Sequence, residues 1–475
     1  MAATSYWRGK RVTVMGLGVL GGGVGAARYL ASHGALVTVT DNRDAESLAG
    51  SVAALAGLPV TFHLGGHEQD DFTSANADVV VRNPGVPMDS PYLEAAVDSG
   101  VPIEMEMSIF FRDCPAPIIG VTGTKGKTTV SALIGCILRA WNPDSLVAGN
   151  MGISALMELD RLAPDMPVAL ELSSFQIESL NDHRLGPHVA VITNIFPDHL
   201  DRYRDFEHYA ATKRGFTHAM TRDDVVVYNA DDPEASRVAG ETRAQYFPFG
   251  LGQPQGDGAW CAGNDLLLVD GETRIGFERP AVLALAGNHG ARNALAAIAA
   301  AHAYGVPEWA IDEGLRSFTG VENRLEVVAE ISGVTYVNDT SATAPEAAIA
   351  GVRVLAPRAQ TLRLIAGGAD KRTDLTPFAD ELRTRDVTVY LLEGSATPAL
   401  RNLLSQRKVV ISGTFDSMAS AVDSAAGEAQ PGDLVALCPA CASFGMFRNE
   451  FDRGEQFRAA VSRLDAIRED QVQEL

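Results

Sequence analysis

Two glycine-rich stretches in this chain have the residue types and spacing to hold phosphate: IIGVTGTKGKTTV, from Ile118 to Val130, and VMGLGVLGGG, from Val14 to Gly23. In the first, Gly120, Gly123 and Gly126 let backbone N–H groups come close to phosphate oxygens, and the helix that should follow adds partial positive charge at its N-terminus. Lys127 can offset charge on β- and γ-phosphates, and Thr128 can ligate Mg²⁺. The strict G-x-x-x-x-G-K-[ST] spacing is not met, because Val121 stands where its first glycine belongs. In the second stretch, Gly16, Gly18 and Gly21 form G-x-G-x-x-G after a strand, and Asp41 ends the next strand. That is the dinucleotide fingerprint, with the acid on a ribose hydroxyl; the same geometry also suits a uridine diphosphate.

Two more residues stand where parallel strands deliver side chains to the crevice beside the phosphate loop: Glu171 in VALELSSFQIE, and His199 in PDHLDRY after VAVITNIF. A carboxylate and an imidazole there can ligate Mg²⁺ or Mn²⁺, with water and phosphate completing the shell. Lys213, in EHYAATKRGF, reads from its surroundings as a solvated lysine on a helix face. Cys438 and Cys441 make a C-x-x-C, but five cysteines in 475 residues give no disulfide framework, and no second pair completes a zinc site. They read as buried or incidental thiols.

The elements that must position these residues follow one repeated pattern of strand, glycine turn and helix. RVTVMG, VGAARYLASHG and ALVTVTD form a βαβ unit, which implies a parallel sheet. PIIGVTG, PVALELSS, VAVITNIF and DVVVYNA are further strands, and Val130, Leu133, Ile134, Ile137 and Leu138 mark one face of a helix. GLGQPQGDGAWCAGND reads as an exposed, turn-rich excursion, and GARNALAAIAAAHAYG as a helix. VTYVND, TLRLIAGG, VTVYLLEG, KVVISG and DLVALCPA are the strands of a last block. The fold class is α/β, in three domains of mainly parallel sheet with flanking helices. Residues 1–107 form a Rossmann-like domain, 108–320 a P-loop ATPase-like domain, and 321–475 the third.

Composition excludes several classes. A net charge of −21, from 60 acidic and 39 basic residues, repels nucleic acid, and no basic stripe offsets it. No apolar run approaches the ~18 residues of a membrane span. The N-terminal residues show no apolar core of a signal peptide, so a cytoplasmic protein is expected.

In order and spacing, GTKGKTT, ELSSFQIE, TNIFPDHLDRY, NALAA, NRLEVV and NDTSAT resemble the Mur ligases, the ATP-dependent amide-forming enzymes of peptidoglycan synthesis. The resemblance runs from about Arg8 to Phe457. ELSSFQIE and CPACASF…RG are similar to the member that adds D-glutamate to UDP-N-acetylmuramoyl-L-alanine. The resemblance implies a monomer in which the first cradle holds the UDP end and the second ATP, while a C-terminal domain of dinucleotide-fold topology brings the amino acid. The UDP-substrate residues it implies are Gly18, Val19, Leu20, Asp41, Asn42, Arg43, Asn83 and Asn150. Those for ATP are Gly123, Thr124, Lys125, Gly126, Lys127, Thr128 and Thr129, with Asn293, Arg324 and Asp339 reaching adenine, phosphate and ribose. Thr128 and Glu171 match ligands of a first Mg²⁺, and His199 of a second. Lys213 matches a lysine carbamoylated by CO₂ that bears on the second metal. Lys127, His199 and Lys213 are thus the implied catalytic set. Thr343, Lys371, Ser443, Phe444 and Phe451 match the glutamate site.

The chain departs from the family pattern at Lys125, where Asn is common, and at Gly290, often Asn. It departs again at Ser341, which replaces a frequent lysine, and at Gly445, where an acid is usual. Three other readings compete. One is a ligase of the same superfamily with another acceptor, such as L-glutamate, or a folylpolyglutamate synthetase. The others are an NAD-dependent oxidoreductase and a non-catalytic nucleotide-binding regulator.

Overall fold

The computed structural model describes residues 6–473 apart from 19–20, 151–153, 201, 253, 263–264, 281–282, 284–286 and 372, with the backbone alone for 466–473. The chain divides into two compact units, Met1–Phe318 and Thr319–Leu475.

The first unit contains two sheets. One comprises β1 (Arg11–Met15), β2 (Leu36–Asp41), β3 (Val60–Leu64), β4 (Val79–Arg82) and β5 (Ile103–Glu104), all parallel, in the order β3-β2-β1-β4-β5. The other comprises β6 (Ile118–Thr122), β7 (Leu146–Gly149), β8 (Val168–Glu171), β9 (Val189–Ile192), β10 (Val225–Asn229), β11 (Gln245–Leu251), β12 (Gly258–Ala262), β13 (Asp265–Asp270) and β14 (Thr273–Phe277). Its order is β14-β13-β12-β11-β10-β9-β6-β8-β7, parallel from β7 to β12, with β13 and β14 antiparallel. The central strands β6, β8 and β9 are buried at every position. Apolar runs of this kind belong to strands covered on both faces.

The helices that matter to the sites are α1 (Gly22–Ser32), α2 (Glu106–Asp113), α3 (Lys127–Trp141), α4 (Ser174–Asp182), α5 (Phe206–Gly215) and α6 (Gly287–Tyr304). In α3 the expected face, Val130, Leu133, Ile134, Ile137 and Leu138, is fully buried. One core runs through both sheets: Val12 and Val14 of β1, Ile109 and Phe110 of α2, Ile118 of β6 and Leu170 of β8 belong to the same cluster. The boundary read at 107/108 falls inside α2, whose apolar residues join that core. The boundary read at 320/321 lies two residues from the division between the units.

One reading is corrected. The stretch from Gly250 to Asp265 is not only an exposed excursion, because it contains β12, paired with β11 and β13. Ala259 and Trp260 are buried, and their burial makes the strand. The β13–β14 hairpin turns at Gly271 and Glu272, between the paired Asp270 and Thr273, and a glycine first in a two-residue turn is a hairpin signal in the sequence.

The second unit holds one sheet: β15 (Glu326–Ile331), β16 (Val334–Asn338), β17 (Leu362–Gly367), β18 (Val387–Leu392), β19 (Val410–Phe415) and β20 (Leu434–Leu437), in the order β15-β16-β20-β17-β18-β19. β15 is an antiparallel edge, and the other pairings are parallel. Helices α7 (Pro345–Leu355) and α8 (Glu450–Gln473) belong to this unit, and cores form on both faces of the sheet.

Candidate active site

The loop between β6 and α3 is held by the strand beside it. Thr124 N donates to Asn194 O at 2.9 Å and Lys125 N to Asn194 Oδ1 at 2.8 Å, and Thr193 Oγ1 donates to Lys125 O at 2.7 Å. Gly123 has φ 144°, and a Cβ there would lie 2.0 Å from Thr193 Oγ1. Gly126 caps α3 at φ 87°, where a Cβ would stand 2.7 Å from Asn293 Oδ1 on α6. The expected adenine contact therefore lies against the phosphate loop. Lys127 Nζ curls back over the loop and donates to Gly123 O at 3.0 Å and Thr124 O at 3.1 Å. Thr128 and Thr129 sit partly exposed in the first turn of α3.

Lys213 is not a solvated lysine. Its side chain lies inside the unit, 1% exposed, because α5 packs that face against the sheet. Nζ donates to Thr122 Oγ1 at 3.3 Å and lies 5.1 Å from the centre of the Tyr209 ring, one helical turn earlier. Burial drives its pKa well below the ordinary lysine value. The charge of Lys127 pushes the same way, and Asp198 and Glu171 only partly oppose them. The amine is thus biased toward its neutral, nucleophilic form. Arg214, the next residue, is buried among Glu207, Glu234 and Glu241 at 2.6 to 2.9 Å and anchors α5.

Glu171, at the end of β8, is 2% exposed. Oε1 accepts from Asn150 Nδ2 at 3.0 Å, while Oε2 is buried and meets no hydrogen-bond donor of the protein. A buried carboxylate oxygen left unpaired is costly, and a hard divalent cation is a partner that satisfies it. The donors expected from the sequence, Thr128, Glu171 and His199, are a hydroxyl, a carboxylate and an imidazole, a set that suits Mg²⁺ or Mn²⁺. His199 has a half-exposed ring, its Nε2 4.0 Å from Asp198 Oδ2, and its backbone is left-handed at φ 53°. Such a conformation in a non-glycine residue persists only where the surroundings hold it.

The first cradle differs. Gly16, Gly18 and Gly21 all have positive φ, and Gly21 caps α1. Asp41 accepts from Gly18 N at 3.0 Å and Arg43 N at 2.9 Å. Burial pushes its pKa up, but these donors more than offset it and hold the carboxyl below its usual value. Asp41 therefore orders the loop with the oxygens the fingerprint would assign to a ribose. Asn83 Nδ2 donates to Gly16 O at 3.3 Å. A cavity of about 430 Å³ opens beside Met15, Asn42, His67, Gly85, Val86 and Tyr92. Val19 and Leu20 lie outside the described residues.

In the second unit, three loops meet at the carboxyl ends of the adjacent strands β16, β20 and β17. Ala440 N donates to Ala342 O, and Ala369 and Ala442 exchange backbone hydrogen bonds. Lys371 Nζ donates to Thr343 Oγ1 at 2.9 Å, which joins two of the expected glutamate residues. Ser443 is buried on the third loop; Phe444 and Phe451 are exposed. Arg453 ties the loops together, donating to Thr340 Oγ1, Thr340 O and Cys441 O. Asp339 is buried, accepts from Leu325 N and from the Cys438 thiol, and is pushed up to about 7 by burial. It braces the turn carrying the exposed Arg324, flanked by left-handed Asn323 and Leu325. The Cys438 thiol, pushed up by burial, is inert packing.

Sequence reasoning missed Thr122, Asn194, Asp198, Tyr209 and Arg453. Tyr209 had a signal, since it stands four residues before Lys213 on the same helix face and its hydroxyl lies 3.0 Å from Thr124 Oγ1.

Residues 10–104 match the family model of the Mur ligase MurD-like N-terminal domain, 121–301 the Mur ligase middle domain, and 323–441 the Mur ligase glutamate ligase domain. The chain is 48% identical over 464 residues to the UDP-N-acetylmuramoylalanine–D-glutamate ligase of Roseiflexus sp. (strain RS-1), covering 95% of this chain and 98% of that one. It is 40% identical to the enzyme of the same name from Anaeromyxobacter dehalogenans, over 95% and 97% of the two chains. The crystal structure of UDP-N-acetylmuramate-alanine ligase MurC from Thermotoga maritima shares the fold, with a TM-score of 0.58 at 19% identity over 96% of this chain and 99% of that one. The chain belongs to the Mur ligase family.

Proposed function

We propose that this chain is an ATP-dependent amide ligase that joins D-glutamate to UDP-N-acetylmuramoyl-L-alanine in peptidoglycan precursor synthesis. The observation that carries the chemistry is the buried Lys213 amine, grouped with Lys127, Asp198 and the half-satisfied Glu171 behind a phosphate loop. The choice of substrates rests on the named relatives.

An ionised carboxylate does not react with an amine. Transfer of the ATP γ-phosphoryl group onto it makes an acyl phosphate. The glutamate nitrogen then attacks the carbonyl carbon, the C–O bond to phosphate breaks, and the amine proton leaves. The protein's task is alignment and charge neutralisation. Gly123, Thr124, Lys125, Gly126, Lys127, Thr128 and Thr129 hold the ATP phosphates through the N-terminus of α3 and the backbone N–H groups that Asn194 does not take, and Lys127 follows the charge of the group in transfer. By the family resemblance, Asn293, Arg324 and Asp339 serve the adenine, phosphate and ribose of ATP.

A neutral Lys213 amine is the form that attacks CO₂. The N–C bond forms, a proton leaves to solvent, and the side chain becomes an anionic carbamate. Thr128, Glu171, His199 and that carbamate would hold two divalent cations, Mg²⁺ or Mn²⁺, whose chemistry is to neutralise phosphate charge. Gly18 to Leu20, Asp41 to Arg43, Asn83 and Asn150 bind the UDP substrate. Lys371 and the hydroxyls of Thr343 and Ser443 take the glutamate carboxylates, beside Phe444 and Phe451. A site fixing two carboxylates and the attacking nitrogen misplaces the amine of the wrong enantiomer, a loss of about 100-fold. We place the enzyme in the cytoplasm as a monomer; no helix among the described residues is long and apolar enough to cross a membrane.

Phosphate release from ATP and Mg²⁺ with UDP-N-acetylmuramoyl-L-alanine, run against a panel of amino acids, tests this reading. Release should depend on D-glutamate. Equal turnover with L-glutamate would overturn the stereochemistry, and turnover only with another amino acid would assign a different acceptor. Binding of NADH in place of UDP and ATP would overturn the ligase.

A further inference from the structure

The loop after β4 lines the cavity at the carboxyl end of the first sheet through Gly85 and Val86. Its carbonyls are gripped from the other sheet of the same unit. Arg202 donates through Nη2 to Val86 O at 3.1 Å and Pro84 O at 3.4 Å, and through Nη1 to Gly85 O at 3.4 Å. Arg82, buried, donates to Val86 O at 3.0 Å and to Glu178 Oε2 at 3.0 Å, and Glu178 Oε1 accepts from Tyr203 at 2.8 Å.

Arg202 and Tyr203 also belong to the His199 turn: both of their backbone N–H groups donate to His199 O, at 2.9 and 3.0 Å. The Arg202 guanidinium lies 4.6 Å from the centre of the Phe175 ring, which stacks on Tyr203 at 6.0 Å and meets the His199 ring edge at 5.0 Å. A cation over one aromatic face and a second ring against it fix a side chain's place. The left-handed backbone of His199 requires such an external hold.

We infer that Arg202 is a positioning residue that couples occupation of the first-sheet cavity by a UDP-sugar to the placement of His199. A ligand that fixes Gly85 and Val86 fixes the acceptors of the guanidinium. The guanidinium then fixes Phe175 and the turn from which His199 projects. A cation held by His199 and a UDP-sugar in the cavity therefore tighten each other by the same factor, as linkage requires. This rests on the functional reading above.

Calorimetric titration of the full ADP-loaded chain with UDP-N-acetylmuramoyl-L-alanine, without cation and with saturating Mn²⁺, tests it without turnover. Wild type should bind the UDP-sugar at least about fivefold more tightly with Mn²⁺, the lower end of ordinary coupling. Arg202→Met keeps the stem and removes the fork. It should bring the factor below about twofold while ADP affinity and melting temperature stay at wild-type values. Arg202→Lys keeps the cation without the fork and carries the test if the methionine variant folds poorly; full wild-type coupling in it overturns the proposal. Undiminished coupling in Arg202→Met, or none in wild type, overturns it too. Failure of the wild type to bind the UDP-sugar at all would sink the functional reading, and this inference with it.

Discussion

The two glycine cradles use one backbone device in two ways. Each is a strand, a loop and a helix whose N-cap glycine is left-handed, Gly21 at φ 94° and Gly126 at φ 87°. Around the first, polar groups are matched inside the protein: Asp41 takes Gly18 N and Arg43 N, and the nearby Glu106 accepts from Ser154 and from the backbone of Ala155 and Leu156. Around the second they are left poised. Lys213 is buried as an amine and Glu171 keeps one buried oxygen without a donor. A helix N-terminus gathers anions in both places. In the proposed chemistry, reactivity is set by the side chains packed behind it, and among the described residues the second cradle has them.

The largest expected effect breaks the second cradle alone. Lys127→Ala should lower turnover on the order of 10² to 10³, the usual cost of losing one preorganised charge on a transferring group, with the fold intact. A rate within about threefold of wild type would detach this loop from ATP chemistry. Lys213→Ala should be nearly as damaging. The proposed working form is an anionic carbamate, so added formate should restore part of its activity; Lys213→Arg with wild-type activity would refute the carbamate.

Glu106 and Glu171 sharpen the contrast. Burial lifts the Glu106 carboxyl to about 7, against the hydrogen bonds it accepts, so between pH 4.5 and 7 the folded chain holds a proton that the unfolded chain has released. Its contribution is fully present below pH 4.5 and is lost as pH rises through 7. In urea unfolding, wild type should lose about 3 kcal/mol relative to Glu106→Gln between pH 4.5 and 8, the equivalent of that pKa difference. Parallel pH curves for the two proteins would contradict it. The smallest effect belongs to the first cradle, where a Cβ on Gly23 would lie 2.4 Å from the carbonyl oxygens of Gly16 and Leu17. Gly23→Ala should cost about 1 to 3 kcal/mol in binding of UDP ligands. ADP affinity should not change; equal losses for both nucleotides would merge the two sites.

What could be read from the sequence was local. Both cradles, their strands and the buried face of α3 follow from glycine spacing and from period 3.6, because the residues involved are neighbours in the chain. Lys213 was misread because its environment is tertiary. Helix α5 carries Glu207, His208, Lys213 and Arg214 in ten residues, and nothing in that pattern says Lys213 turns inward while Arg214 finds three carboxylates. The grip of Arg202 on Pro84 to Val86 spans more than a hundred residues of chain and leaves no periodic trace. The β13–β14 hairpin, by contrast, has a local signal in Gly271, the first residue of its two-residue turn, and could have been found.

The central claim is that ATP at the second cradle activates a carboxylate delivered by the ligand of the first. Its most direct test uses UDP-N-acetylmuramoyl-L-alanine labelled with ¹⁸O in the alanine carboxylate, incubated with ATP, Mg²⁺ and D-glutamate. An acyl phosphate carries a carboxylate oxygen into the P–O bond, and attack at carbon leaves it there. The account predicts released phosphate bearing one ¹⁸O, read by mass spectrometry or by the isotope shift in ³¹P NMR. Unlabelled phosphate alongside amide product would contradict it.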